Sequence, residues 1–92
     1  GFMPRTISGT ITNGSGQPVS GVTVTLSGGQ SNSTTTNGSG QYSFSGLLNG
    51  GDYTVTPSLS GYVFTPSSRT YFKLGKNISD ANFTALPDQV TT

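Results

Sequence analysis

Reactive side chains are scarce in this sequence. Its 92 residues contain no cysteine and no histidine, and the acids are three isolated aspartates, Asp52, Asp80 and Asp88. Without cysteine there is no thiol nucleophile, no disulfide framework and no zinc–thiolate site. Without histidine the commonest general base and metal ligand is missing. Serine and threonine occupy 29 positions, yet a hydroxyl needs a base beside it to become a nucleophile, and none is offered. Glycoside hydrolysis needs two carboxyl groups about 5–9.5 Å apart. Asp52 and Asp80 open different strands, and nothing in the sequence brings them together. No catalytic residue, cofactor or metal site is assigned, and the chain is predicted not to be an enzyme.

Binding chemistry is thin as well. Calcium asks for several oxygen ligands, usually with closely spaced acids. Asn77, Asp80 and Asn82 come nearest to that, and hydrogen bonding within a loop is the reading favoured for them. The cations Arg5, Arg69, Lys73 and Lys76 leave a net charge of +1, far from the basic stripe that nucleic acid requires, so no nucleic-acid partner is expected. Asn13, Asn32, Asn37, Asn77 and Asn82 each begin an N-x-[ST] pattern; most also read as turn residues, and Asn32 is the best exposed candidate for glycosylation. Aromatic rings offer the remaining possibility. Alternation places Tyr42, Phe44, Tyr53 and Phe83 inside, whereas in Tyr71-Phe72 one neighbour must face outward. Tyr71 is taken as that outward ring, and with Arg69 beside it forms the candidate ligand contact.

The elements that position these residues are strands. Ile7, Gly9 and Ile11 share one face of Thr6–Asn13, and Val22, Val24 and Leu26 share one face of Gly21–Gly28. Ser31–Thr36 is a polar, β-branched stretch suited to a sheet edge. Asn37-Gly38-Ser39-Gly40 reads as a hairpin turn leading to Gln41–Ser45 with Tyr42 and Phe44. Leu47 and Leu48, in the loop 46–51, are expected to plug one end of the core. Strands follow at Asp52–Ser58, Gly61–Pro66, Ser68–Leu74 and Asp80–Ala85, the last with Ala81, Phe83 and Ala85 on one face. Short alternating segments at this spacing predict an all-β, seven-stranded antiparallel sandwich with Ig-like Greek-key connections. Residues 1–4 are set apart as an N-terminal extension, 5–85 as the sandwich and 86–92 as a C-terminal linker. No apolar run approaches the roughly 18 residues of a membrane span, so no membrane insertion is expected.

Three pieces carry a family resemblance: Gly16-Gln17-Pro18-Val19-Ser20-Gly21-Val22, Asn37–Phe44, and Gly61-Tyr62-Val63-Phe64-Thr65-Pro66. Together they resemble the carboxypeptidase regulatory-like domain family, with a transthyretin-like (prealbumin-like) sandwich related to the B-type repeats of bacterial collagen adhesins. The resemblance runs from about Thr6 to Ala85. It implies a non-catalytic accessory module, of the kind found beside secreted hydrolases, in surface adhesins and in outer-membrane receptors. Some relatives carry an isopeptide bond between a first-strand lysine and a last-strand asparagine or aspartate. The first strand here holds Arg5 and Thr6 but no lysine, and the chain has no glutamate, so no such crosslink is expected.

Function is therefore expected to be structural. The chain is predicted to be a spacer or stabilising domain of a larger secreted or cell-surface protein, monomeric by itself, with neighbouring domains as partners. The alternative is a module binding polysaccharide or a surface protein. Ile7, Ile11, Val22, Val24, Leu26, Tyr42, Phe44, Tyr53, Val55 and Phe83 are the predicted core.

Overall fold

Period-two alternation becomes eight strands in the computed structural model, which describes residues 3–88. They are β1 (Pro4–Asn13), β2 (Thr23–Gly28), β3 (Asn32–Thr35), β4 (Gln41–Leu48), β5 (Tyr53–Ser58), β6 (Tyr62–Thr65), β7 (Arg69–Tyr71) and β8 (Phe83–Pro87). Two four-stranded sheets, ordered β4-β1-β8-β6 and β3-β2-β5-β7, face each other. All ten predicted core residues lie between them, none more than 5% exposed. Leu47, Leu74, Ile78, Ala81 and Ala85 complete the apolar interior.

The strand count and the strand directions both depart from a seven-stranded antiparallel sandwich. β6 and β7 run the same way in opposite sheets, because the chain breaks at Pro66 and changes sheet without turning back. They amount to one traverse of the molecule split in two. Counted so, seven traverses alternate in direction, the first and last run the same way, and β8 lies beside β1 as a parallel neighbour, pairing Ile11 with Phe83, Thr12 with Thr84 and Asn13 with Ala85. The first sheet is therefore mixed.

Asn37–Gly40 is a turn but not a hairpin. β3 pairs with β2, whereas β4 pairs with β1 in the other sheet, so the turn is a corner between layers. The Asn37 side chain makes it, its Oδ1 accepting the N–H groups of Ser39 (2.9 Å) and Gln41 (3.0 Å). The pentapeptide Asn-Gly-Ser-Gly-Gln occurs twice, at 13–17 and 37–41. At the first copy Asn13 Oδ1 likewise accepts from Ser15 (2.9 Å) and Gln17 (3.0 Å). One local solution is used at two adjacent corners.

Strand boundaries shift for identifiable reasons. β4 continues through Leu48, past the point where alternation fails, because the register slips between Arg5↔Leu47 and Ile7↔Phe44. Gly46, at φ 70°, supplies the backbone conformation of that bulge. The extra residue turns Leu47 inward (2% exposed) and leaves Leu48 outside (50%), so one leucine closes the core rather than two. β8 likewise continues beyond Ala85, with Leu86 and Pro87 paired to Val63 and Tyr62. These two residues, placed in the linker by the loss of alternation, are strand. β7 is only three residues long, and Leu74 sits beyond it as a buried plug. The outer ends of the predicted extension and linker, 1–2 and 89–92, lie outside the described residues.

The candidate functional site: β7, its loop and the β1–β8 seam

Arg69 and Tyr71 are on one strand and one face, and that face is the inner one. β7 pairs with β5 so that Arg69 stands opposite Val55 and Tyr71 opposite Tyr53. Directly paired residues share a side of the sheet, and Tyr53 and Val55 are buried. Tyr71 therefore packs half-buried against the core. Burial raises its hydroxyl pKa above the ordinary value; Asp80 pushes the same way, and Arg69 opposes both. The outward ring is Phe72, 75% exposed. Alternation establishes that one of the two faces out, but only pairing with β5 decides which.

Arg69 closes the open edge of the sandwich. Its Nε donates to the Asn82 carbonyl (2.8 Å), and its guanidinium carbon lies 5.6 Å from the centre of the Phe83 ring. A cation over an aromatic face is attracted by the ring quadrupole. The side chain thus reaches from the second sheet to the segment leading into β8 of the first. Thr70, between Arg69 and Tyr71, faces outward, and its hydroxyl meets that of Thr54 at 3.0 Å.

Beyond β7 the chain folds over the end of the sandwich. Lys73 N–H donates to Asp52 Oδ1 (2.8 Å), and Leu74 exchanges backbone hydrogen bonds with Gly50 (2.6 Å) and Gly51 (2.9 Å). Phe72 projects from this loop beside a shallow concavity of about 580 Å³ lined by Tyr71, Lys73, Leu74, Lys76 and Ile78. A second hollow, of about 480 Å³, lies where β1, β4 and β3 approach, and its walls are hydroxyls and amides from Ser8, Thr10, Thr34, Gln41 and Ser43.

Asn77 and Asn82 are committed to the backbone of β1. Asn77 Oδ1 accepts the Thr6 N–H (3.0 Å) and Asn82 Oδ1 accepts the Thr10 N–H (2.8 Å). Between them Ser8 N–H donates to the Ile78 carbonyl (2.8 Å), while Ile78 and Ala81 donate to the carbonyls of Thr6 (2.8 Å) and Ser8 (3.0 Å). Residues 77–82 thus extend the parallel β1–β8 pairing down the length of β1. The buried Tyr42 hydroxyl donates to the Ala81 carbonyl, and burial pushes its pKa far above the ordinary phenol range. Sequence reasoning expected loop hydrogen bonds from these asparagines but not their partner, because nothing local to 77–82 points to a strand some seventy residues away.

The three aspartates stay on separate segments. Asp52 serves the Lys73 N–H, Asp80 sits on the seam and Asp88 follows β8. Among the described residues no three acids, histidines or cysteines gather where a metal ion could be held.

Known proteins place the chain. It is 54% identical over 80 residues to the chitinase ChiA of Flavobacterium johnsoniae, a match covering 86% of this chain and 5% of that protein. The fold is shared with the TIE protein of Bacillus anthracis, at a TM-score of 0.74 and 15% identity over 91% of this chain and 16% of that one. A streptococcal ancillary pilin shares it at a TM-score of 0.71 and 13% identity, over 92% of this chain and 33% of the pilin. In each case the chain corresponds to a small part of a much longer protein. The profile of the carboxypeptidase regulatory-like domain matches residues 6–86, and the chain belongs to that family.

Proposed function

We propose that the domain is a non-catalytic accessory module that sets the distance between its neighbours in a larger exported protein. One observation carries this: β1 and β8 are parallel, so the polypeptide enters at one end of the sandwich and leaves at the other. From Pro4 to the Ile11–Phe83 rung and on to Pro87 is a rise of about 35 Å at a strand's rise per residue, and the molecule measures 55 Å along its longest axis. Correspondence to 5% of a chitinase and 33% of a pilin supports a module set among other domains. An ancillary pilin with this fold supports a place outside the cytoplasm. The aspartates stand on separate segments, with Asp52 accepting the Lys73 N–H, and this dispersal supports a role without catalysis.

Polysaccharide or protein binding is the second reading, and Phe72 favours it: an exposed ring next to Lys73, Lys76 and a concavity is a surface on which a ligand could stack. Amide NMR spectra recorded during titration with soluble chitin oligosaccharides, glucan oligosaccharides and Ca²⁺ separate the two. A spacer keeps a dispersed spectrum that ignores every addition. Saturable shifts grouped around Phe72–Lys76 would overturn the spacer reading and name the binding surface.

A further inference from the structure

We infer that the seam between β1 and residues 77–85 is a shear clamp, which makes this domain resist tension applied between its two ends. The inference deepens the spacer reading and rests on it, since a spacer between anchored neighbours transmits whatever force separates them.

The geometry is specific. Tension draws β1 toward Pro4 and β8 toward Pro87. These strands are adjacent and parallel, so the pull slides one along the other and strains the hydrogen bonds between them together. In a hairpin pulled from its open end, the rungs break singly. The seam is also long. It begins at Thr6 with Asn77, passes through the Ile7–Ile78 bridge and the bonds of Ser8, reaches Thr10 with Asn82, and ends in the Ile11–Asn13 ladder.

The asparagines matter where the seam is imperfect. From the 7–78 bridge to the 11–83 rung there are four steps on β1 and five on the other side. The extra residue bows the 79–82 segment away from the regular ladder. Asn82 Oδ1 takes the Thr10 N–H that a backbone carbonyl would otherwise meet, and Asn77 does the same at Thr6. Two further bonds hold this segment from outside the seam. Arg69 holds the Asn82 carbonyl from the opposite sheet, and the Tyr42 hydroxyl holds the Ala81 carbonyl. β1 cannot escape sideways, because β4 flanks it on its other edge.

Single-molecule force spectroscopy tests this in two pulling directions on the same protein. One pulls between the ends of the chain. The other pulls between the N-terminus and a cysteine at Gly75→Cys, an exposed position at the end of the sandwich where β1 begins, so that β1 and the seam part rung by rung. At equal loading rate, forced unfolding, which reports the unfolding rate, is expected to need about twofold or more force end to end than in the peeling direction. Equal forces, or a lower end-to-end force, would overturn the clamp. Asn82→Ala is expected to lower the end-to-end force and leave the peeling force nearly unchanged. An equal loss in both directions would also overturn it, and the wild-type comparison decides should that variant not fold. The spacer reading fails separately: a domain with strong directional resistance that also binds a glycan keeps the clamp and loses the spacer, whereas an inert domain with equal forces does the reverse.

Discussion

Gly9→Ala examines the most crowded point of the structure. Gly9 lies on the inner face of β1, opposite Tyr42. A methyl group there would land on the Ala81 carbonyl, far inside van der Waals contact, and 3.0 Å from the Tyr42 hydroxyl that this carbonyl receives. The carbonyl is backbone, and the hydroxyl ends a buried side chain held by that same carbonyl. The Ala81 backbone would have to lift, taking Asn82 and Phe83 with it. Overpacking of this kind costs about 1–3 kcal/mol, and weakening the buried Tyr42–Ala81 hydrogen bond adds about 1 kcal/mol. Alanine returns about 0.5–1 kcal/mol by restricting the unfolded chain, which leaves a net loss of about 1–3.5 kcal/mol. A domain of this size unfolds with an entropy near 0.2 kcal/mol per kelvin, so the melting temperature should fall by about 5–18 °C. Gly38→Ala is the matched control: nothing lies within 4 Å of its new methyl, and it should be neutral or slightly stabilising. Thermal unfolding followed by circular dichroism measures both. If Gly9→Ala melted within about 3 °C of the parent, residues 77–82 would not be packed across β1, and the seam would be misplaced.

Other perturbations probe other parts. Phe83→Ala removes a ring 2% exposed and capped by Arg69; it should cost about 3–5 kcal/mol, and an unchanged melting temperature would take β8 out of the core. Phe72→Ser should stay within about 0.5 kcal/mol of wild type, while Tyr71→Ser costs more; urea denaturation giving the reverse order would return the outward ring to Tyr71. Stability should decline above about pH 10. The unfolded chain loses the Tyr42 proton near 10.0 whereas the folded protein keeps it, so the contribution is complete below that pH and is lost as pH rises. The slope approaches about 1.4 kcal/mol per pH unit for one such proton, and Tyr71 adds in the same direction. In Tyr42→Phe this alkaline slope should flatten; urea midpoints that keep the full slope would show that another group causes it.

Burial was legible in the sequence wherever a strand keeps its phase. Ile7 and Ile11, Val22, Val24 and Leu26, and Tyr42 and Phe44 announce an inner face by period two, and all are buried. Phase is lost at a bulge, which is why Leu47 and Leu48 could not be told apart, and it is ambiguous in a short strand, which is why Tyr71 was preferred to Phe72. Pairing partners are harder still. Asn-Gly marks the corner at 37–40 reliably, because the side chain builds it locally, but whether the flanking strands meet depends on which sheet offers an open edge. Leu74 closes a predicted strand that in fact stops at Tyr71, Ile78 lies between predicted strands, and only the way the loop folds over the sandwich end shows both to be core. The repeated Asn-Gly-Ser-Gly-Gln was in plain view and could have predicted two identical turns.

The pairing of the first strand with the last has a consequence for how the chain acquires its structure. β1 is an inner strand of its sheet, yet one of its two neighbours is the last strand of the domain to be synthesised. Until residues 77–87 exist, Thr6, Ser8 and Thr10 have no acceptors on that edge, and the apolar residues of β1 stay partly uncovered. Contacts this distant in sequence fold slowly, on the order of milliseconds to seconds for sandwiches. A nascent chain of this domain therefore remains unclosed until its last strand arrives, a state in which it can still be threaded through a narrow passage.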